Sequence, residues 1–135
     1  MIIHLAIIKR DIKKCNKKRW YPGLEIELMR VVRLLNSDSE LPGEYPMSGF
    51  KGELSGKVLH ARINLPNSNI GKQKGARLVY VKTEINEHIR ILYVGGHKDK
   101  DYGSNNFIKE ISYRYFDVVN LISYEDFMEM INTLL

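Results

Sequence analysis

The sequence predicts an α+β fold, in which a small twisted antiparallel β-sheet is packed against an N-terminal helical hairpin. Two observations predict it. Apolar and polar residues alternate with a period of two in the middle of the chain, and apolar residues recur at helical spacing on both sides of that region. The chain has 135 residues, enough for one domain with a buried core.

The N-terminal third predicts one strand and two helices. Residues 2–8 are mostly apolar and β-branched, so they predict a strand at the sheet edge or beside the strand at 57–65. Residues 9–19 (KRDIKKCNKKR) predict a short helix whose basic outer face could contact phosphate or simply favour solubility. Its single cysteine, Cys15, is expected to be a partly buried structural residue. Residues 22–35 predict the second helix, because their leucines and valines recur at helical spacing.

Three central strands are predicted at residues 57–65, 76–82 and 89–94. Strand alternation places His60 and Arg62 on one face. Arg77 opens the second strand, and a Gly-Gly-His loop with His97 follows the third. An antiparallel meander would bring these side chains together.

The connections around these strands differ in composition. Residues 36–56 are rich in glycine and proline and predict a long loop, anchored on the core by Tyr45 and Phe50. Residues 66–75 are basic and glycine-rich, but they lack the ending of a nucleotide-binding phosphate loop.

Two helices are predicted near the C-terminus. The first covers residues 104–116 after a Ser-Asn-Asn cap region. The second begins after Ser123, which can cap it with Asp126 three residues later. Its apolar face consists of Phe127, Met130, Ile131 and Leu134.

Charge is distributed unevenly along the chain. The net charge is +5, but residues 1–90 hold 17 basic and 9 acidic residues (+8), whereas residues 91–135 hold 4 and 7 (−3). The basic part suits a polyanionic partner. The sequence contains no apolar run long enough for a bilayer span and no signal-peptide pattern, so we expect a cytoplasmic protein without a membrane partner. It also lacks metal-ligand spacing, so no metal or other cofactor is expected.

Several of these segments resemble the RelE/ParE-type toxin superfamily, and within it the RelE/HigB-like messenger-RNA endonucleases. They are the opening strand, the lysine-rich helical hairpin, the LHARI strand, the GARLVY segment (75–80) and the VGGHKD ending of the last strand. The resemblance covers about residues 2–102, and GARLVY is its most specific part. It implies a single RelE-like domain over residues 1–135, with 103–135 as a C-terminal extension.

The resemblance also implies a function. Such proteins are the toxins of toxin–antitoxin systems and inhibit translation as mRNA interferases, cutting mRNA in the ribosomal A site without a metal. The 2′-hydroxyl attacks the adjacent phosphate, which requires a base, cations and an acid. The implied partners are therefore mRNA, the ribosome and a cognate antitoxin. The residues matched to catalysis are His60, Arg62, Arg77, His97 and Tyr102, and those matched to phosphate binding are Lys72, Lys74 and Lys98.

Several alternatives stay open from the residues alone. His97 is favoured as the acid and His60 as the base or a phosphate ligand, but the reverse assignment is nearly as plausible. Arg77 could instead pair with an acid such as Asp99, and Tyr102 could belong to the core. The protein could also be a non-enzymatic ParE-like inhibitor of DNA gyrase, or a domain that binds RNA or the ribosome without cleavage. The two histidines favour the enzyme.

Overall fold

A computed structural model describes residues 3–6, 8–17, 21, 23–37, 40–65, 76–82, 89–96, 99, 101–118 and 121–134. It confirms the α+β class. The elements are, in chain order, β1 (Ile3–Ala6), α1 (Ile8–Asn16), α2 (Leu24–Asn36), β2 (Tyr45–Pro46), a 3₁₀ turn (Gly52–Leu54), β3 (Val58–Ile63), β4 (Ala76–Lys82), β5 (Ile89–Gly96), α3 (Asn105–Phe116), β6 (Leu121–Ile122) and α4 (Tyr124–Leu134).

The strands form one sheet in the order β2-β3-β4-β5-β1-β6. Strands β3 to β5 are antiparallel neighbours, as the sequence predicts. Strand β2 lies in the segment predicted as a loop and pairs antiparallel with β3. Strand β1 pairs parallel with β5 and antiparallel with β6, so the sheet as a whole is mixed. The predicted position of β1, at the sheet edge or beside β3, is therefore wrong. Apolar β-branched residues favour a strand, but they do not specify which strand it pairs with.

One face of the sheet is covered by three helices. Helices α1, α2 and α4 pack there, and their buried residues join those of β3, β4 and β5 in a single core. The predicted helical hairpin thus lies on one face, together with α4, whose Phe127 and Ile131 are fully buried. Met130 packs against the same core, and Ser123 caps α4 by accepting from the Asp126 N–H at 3.1 Å. The side chain of Leu134 lies outside the described residues.

The other face carries a second core, formed by α3 and the segment between α2 and β3. Phe107 and Ile111 of α3 pack there against Val79 and Leu92, and Phe50 anchors the connecting segment as predicted. The hydroxyl of Ser104 accepts from the Phe107 N–H at 3.2 Å, which caps α3 within the predicted Ser-Asn-Asn region. An extra residue in β5, where the pairing with β4 shifts by one, places Leu92 and Tyr93 in this same core.

Beyond the end of β1, a side chain of helix α1 accepts a hydrogen bond from the backbone of β5. Pairing of β1 along β5 stops at Ile91, and farther on the Asp11 carboxylate accepts from the Val94 N–H at 3.3 Å. The same carboxylate pairs with Arg114 of α3 at 2.6 and 3.0 Å, and Arg114 also donates to the Leu92 carbonyl at 2.9 Å. Asp11 and Arg114 are both buried, so this ion pair links α1, β5 and α3.

Gly95 and Gly96 belong to β5 rather than to the predicted loop. A side chain at Gly95 would overlap Tyr93, and one at Gly96 would overlap Tyr21. The Gly-Gly pair therefore leaves room for two tyrosine rings, a requirement that composition alone cannot show. None of the described helices is long and apolar enough to cross a membrane.

Candidate functional site

The predicted site residues meet in a cleft of about 330 Å³. It opens on the face of the sheet that α3 covers only in part. Its walls come from β2, β3, β4 and the segments next to them, and they consist of Gly43, Tyr45, His60, Ala61, Arg62, Arg77 and Tyr102. Among the residues that the structure describes, this wall includes no aspartate or glutamate. The cleft therefore suits a negatively charged ligand.

Two arginines face each other across neighbouring strands. Arg62 of β3 pairs directly with Arg77 of β4, and directly paired residues project from the same face of a sheet. Arg62 is exposed, whereas Arg77 is only 7% exposed. Burial lowers the pKa of Arg77; Tyr102 opposes this shift and the charge of Arg62 adds to it. Two like charges at this spacing destabilise the sheet, and a bound anion would relieve their repulsion.

On its other side, Arg77 has a neighbour without a side chain. It pairs with Gly95 of β5, where the Tyr93 hydroxyl occupies the position that a β-carbon would take. Its guanidinium donates to the Ala76 carbonyl at 3.2 Å. The carboxylate of Asp99, the acid considered as an alternative partner for Arg77, accepts from the Tyr93 hydroxyl and from the Gly96 N–H.

His60 and Tyr102 form a hydrogen-bonded pair at the back of the cleft. The His60 Nδ1 and the Tyr102 hydroxyl are 3.0 Å apart, and their rings are nearly parallel, at an interplanar angle of 24°. Both side chains are half-buried. Burial raises the pKa of Tyr102 to about 12, with Arg77 opposing the shift, so the phenol keeps its proton at neutral pH. A hydroxyl can donate or accept, so the hydrogen bond between Tyr102 and the His60 Nδ1 can form whether or not that nitrogen carries a proton.

The second core fixes the position of Tyr102. Its ring packs on Phe107 at 4.9 Å and lies 6.1 Å from the ring of Tyr93. The backbone next to it is also hydrogen-bonded, since the Asp99 N–H donates to the Gly96 carbonyl and the Tyr102 N–H donates to the Asp99 carbonyl, both at 3.0 Å. Tyr102 therefore packs against the core, as one alternative held, and also places its hydroxyl in the cleft.

Tyr45 does not anchor the loop on the core. It is 67% exposed, so that prediction is wrong. Tyr45 instead pairs with His60 across β2 and β3, and the two ring centroids are 6.2 Å apart. The sequence holds a signal for this strand, since the residue before a proline favours extended backbone and a proline in a sheet favours an edge strand. Strand β2, at the edge of the sheet, ends with Pro46.

Four predicted residues, His97, Lys72, Lys74 and Lys98, lie outside the described part of the chain. Their roles remain those that the family resemblance implies. Within the described residues, no group of three His, Cys, Asp or Glu side chains is placed to hold a metal ion.

A scan of protein-family models and a search of curated proteins give no match for this sequence.

Proposed function

We propose that this protein is a metal-independent endoribonuclease and the toxin of a toxin–antitoxin pair. One observation is central to the proposal. The facing arginines Arg62 and Arg77 share a cleft with the hydrogen-bonded pair of His60 and Tyr102. These are the groups that RNA cleavage through the 2′-hydroxyl requires, namely cations for the phosphate and a group that can move a proton.

The arginines would bind the scissile phosphate. A guanidinium presents its donors in a planar fork that matches two phosphate oxygens. Arg77 is buried, so its interaction with a phosphate is screened less by water than that of the exposed Arg62. We therefore assign stabilisation of the developing phosphorane charge mainly to Arg77 and ground-state phosphate binding mainly to Arg62.

His60 would act as the general base. In the neutral form with its proton on Nδ1, the ring donates to the Tyr102 oxygen, and the lone pair of Nε2 can accept the proton of the 2′-hydroxyl. The 2′-oxygen then bonds to phosphorus and the bond to the 5′-oxygen breaks. Tyr102 keeps its own proton throughout and accepts from Nδ1 both before and after the transfer, so it is a positioning residue.

The departing 5′-oxygen needs a proton, and we assign its donor to His97, whose position the family resemblance matches to a basic or acid–base residue. The products are a 2′,3′-cyclic phosphate on one fragment and a 5′-hydroxyl on the other. Lys72, Lys74 and Lys98 would contact the RNA backbone and make binding dependent on salt.

The same cleft suggests the partners. Messenger RNA in the ribosomal A site is the substrate class that the resemblance implies, in the cytoplasm. A cognate antitoxin with acidic side chains would neutralise this toxin by occupying the basic cleft.

The test is to incubate a defined message with the protein, with and without ribosomes, and to map new RNA ends. We expect cuts from the wild type. They should be lost, about 100-fold or more, in Arg77→Lys, which keeps the charge but not the fork, and in His60→Gln. Lys109→Ala removes an exposed charge from α3, outside the cleft, and should cut normally.

Folding is checked for each variant by circular dichroism and thermal melting. If the folded wild type binds RNA but makes no cuts in either condition, the protein binds without cleavage and the nuclease proposal is wrong. Equal cutting by wild type and Arg77→Lys would place the active site elsewhere.

A further inference from the structure

Tyr45 has no part in the proton transfers, although it forms one wall of the cleft. Its ring lies 6.2 Å from that of His60 at an angle of 56°, and it is the outermost aromatic side chain of the cleft. A single exposed aromatic residue is ordinary on a protein surface. Its position next to the proposed scissile phosphate is what requires an explanation.

The backbone on both sides of Tyr45 is well anchored. On one side, the Glu44 carboxylate accepts from the Tyr80 hydroxyl and pairs with Lys82 at 3.0 Å. On the other, Met47 is buried and its N–H donates to the Val58 carbonyl at 2.8 Å. Tyr45 is therefore held in a fixed place while its ring faces solvent. Because the backbone is already ordered, ligand binding has to order only the Tyr45 side chain, which limits the entropy cost.

The surface continues past Tyr45 and Arg62 as open depressions. A groove of about 350 Å³ shares Gly43 and Arg62 with the cleft and is lined further by Arg30, Asn64 and the apolar Val31, Leu34 and Pro42. The Arg30 guanidinium pairs with the Glu27 carboxylate at 2.6 Å. Tyr45 also lines a shallow hollow of about 550 Å³. A polyanionic chain leaving the cleft along the groove would meet Arg62, the Asn64 amide and Arg30, whose charge is shared with Glu27. The Tyr45 ring has open space beside it.

We propose that Tyr45 stacks on an unpaired nucleobase next to the scissile phosphate, while the Arg30–Arg62 groove takes the adjoining nucleotides. This inference rests on the proposed function and specifies its substrate as single-stranded RNA. Bases in a duplex are stacked inside and cannot reach an aromatic side chain, whereas unpaired bases stack readily on tyrosine. Stacking tolerates any base, because every base has a π-face.

The test measures binding separately from cleavage. A short single-stranded RNA carries a 2′-deoxy nucleotide at the mapped cut, so it cannot react, and its affinity is followed by fluorescence anisotropy. Tyr45→Ala should weaken binding by about 5-fold to 150-fold, the range found for removing one stacked base contact. Tyr45→Phe keeps the ring and should stay within about twofold of wild type.

Tyr113→Ala is the matched control. Tyr113 is 64% exposed on α3 and is not part of the cleft wall, so its loss should leave affinity unchanged. A series of RNAs with one abasic nucleotide each locates the contact. At one position, removal of the base should weaken the wild type and abolish its difference from Tyr45→Ala.

The outcomes separate the two proposals. If the wild type cleaves RNA but Tyr45→Ala binds as tightly as wild type, the stacking inference is overturned and the nuclease stands. Equal losses in Tyr45→Ala and Tyr45→Phe would assign the contact to the hydroxyl and also overturn it. If the wild type binds RNA without cleaving it, the nuclease proposal fails, while the Tyr45 variants, measured on the unmodified RNA, still decide the stacking. If it neither binds nor cleaves, both proposals fall.

Discussion

Removing the charge of Arg62 should stabilise the protein while weakening its activity. Arg62 and Arg77 are directly opposed across β3 and β4, and Arg77 is buried. For reference, two unit charges about 6 Å apart in bulk water repel by about 0.7 kcal/mol, and the burial of Arg77 makes this a lower limit. This agrees with the range of about 0.2–1 kcal/mol for cross-strand pairs. Arg62→Gln should therefore raise the free energy of unfolding by about 0.7 kcal/mol and the melting temperature by about 2–3 °C.

The assay is urea unfolding at low and high salt, alongside RNA cleavage. At 1 M salt the screening length is about 3 Å, so the gain in stability should shrink to below about 0.2 kcal/mol. Cleavage should fall about 10-fold to 100-fold in kcat/KM, because a charged hydrogen bond to phosphate is lost. Arg33→Gln, which removes an exposed arginine from the last turn of α2, should bring no gain in stability. A lower stability of Arg62→Gln than of wild type would refute the reasoning, since Arg62 would then take part in a net favourable interaction.

Three further predictions concern the scaffold. Asp11→Ala leaves Arg114 buried without its main partner and should lower the free energy of unfolding in urea by about 3–5 kcal/mol. The double variant with Arg114→Leu should recover much of that loss, and a double variant as unstable as Asp11→Ala would contradict this account. Gly95→Ala forces a β-carbon into Tyr93 and should cost about 1–3 kcal/mol in thermal melts, partly restored by Tyr93→Phe; an unchanged melt would show that the ring can move aside. At alkaline pH the protein should lose stability, because burial raises the pKa of four tyrosines, Tyr21, Tyr80, Tyr93 and Tyr102, above the unfolded value of about 10. The unfolded chain then loses its phenolic protons at lower pH than the folded protein. The contribution of these tyrosines to the free energy of unfolding is therefore complete below about pH 10. Above it, the free energy of unfolding falls by about 1.4 kcal/mol per pH unit for each such tyrosine. Tyrosinate absorbance measured alongside urea unfolding checks this, and full ionisation of the folded protein below about pH 11 would contradict it.

The sequence predicts the elements that local patterns determine. Alternation in residues 57–65 placed His60 and Arg62 on one face, and the structure brings both into the same cleft as Arg77. The cap of α3 was predicted in the Ser-Asn-Asn region and that of α4 at Ser123, because a serine hydroxyl can accept from the first N–H groups of a helix.

Features that depend on distant contacts were not predictable in this way. The position of β1 between β5 and β6 depends on the C-terminal strand that pairs with it. The exposure of Tyr45 follows from its pairing with His60 on an edge strand, which its own sequence neighbours do not specify. Gly95 and Gly96 suggest a loop by composition, but they are strand residues because tyrosine rings occupy the space beside them.

Attack by the 2′-hydroxyl can be tested with an RNA whose mapped cut site carries a single 2′-deoxy nucleotide. If the cleft promotes attack by the 2′-hydroxyl, the wild type should bind this RNA as tightly as the unmodified one but leave it uncut. The unmodified RNA should give fragments ending in a 2′,3′-cyclic phosphate and a 5′-hydroxyl, and Arg77→Lys should give almost none. Cleavage of the 2′-deoxy RNA at the same position would contradict the account, because the nucleophile would then be something other than the neighbouring 2′-oxygen.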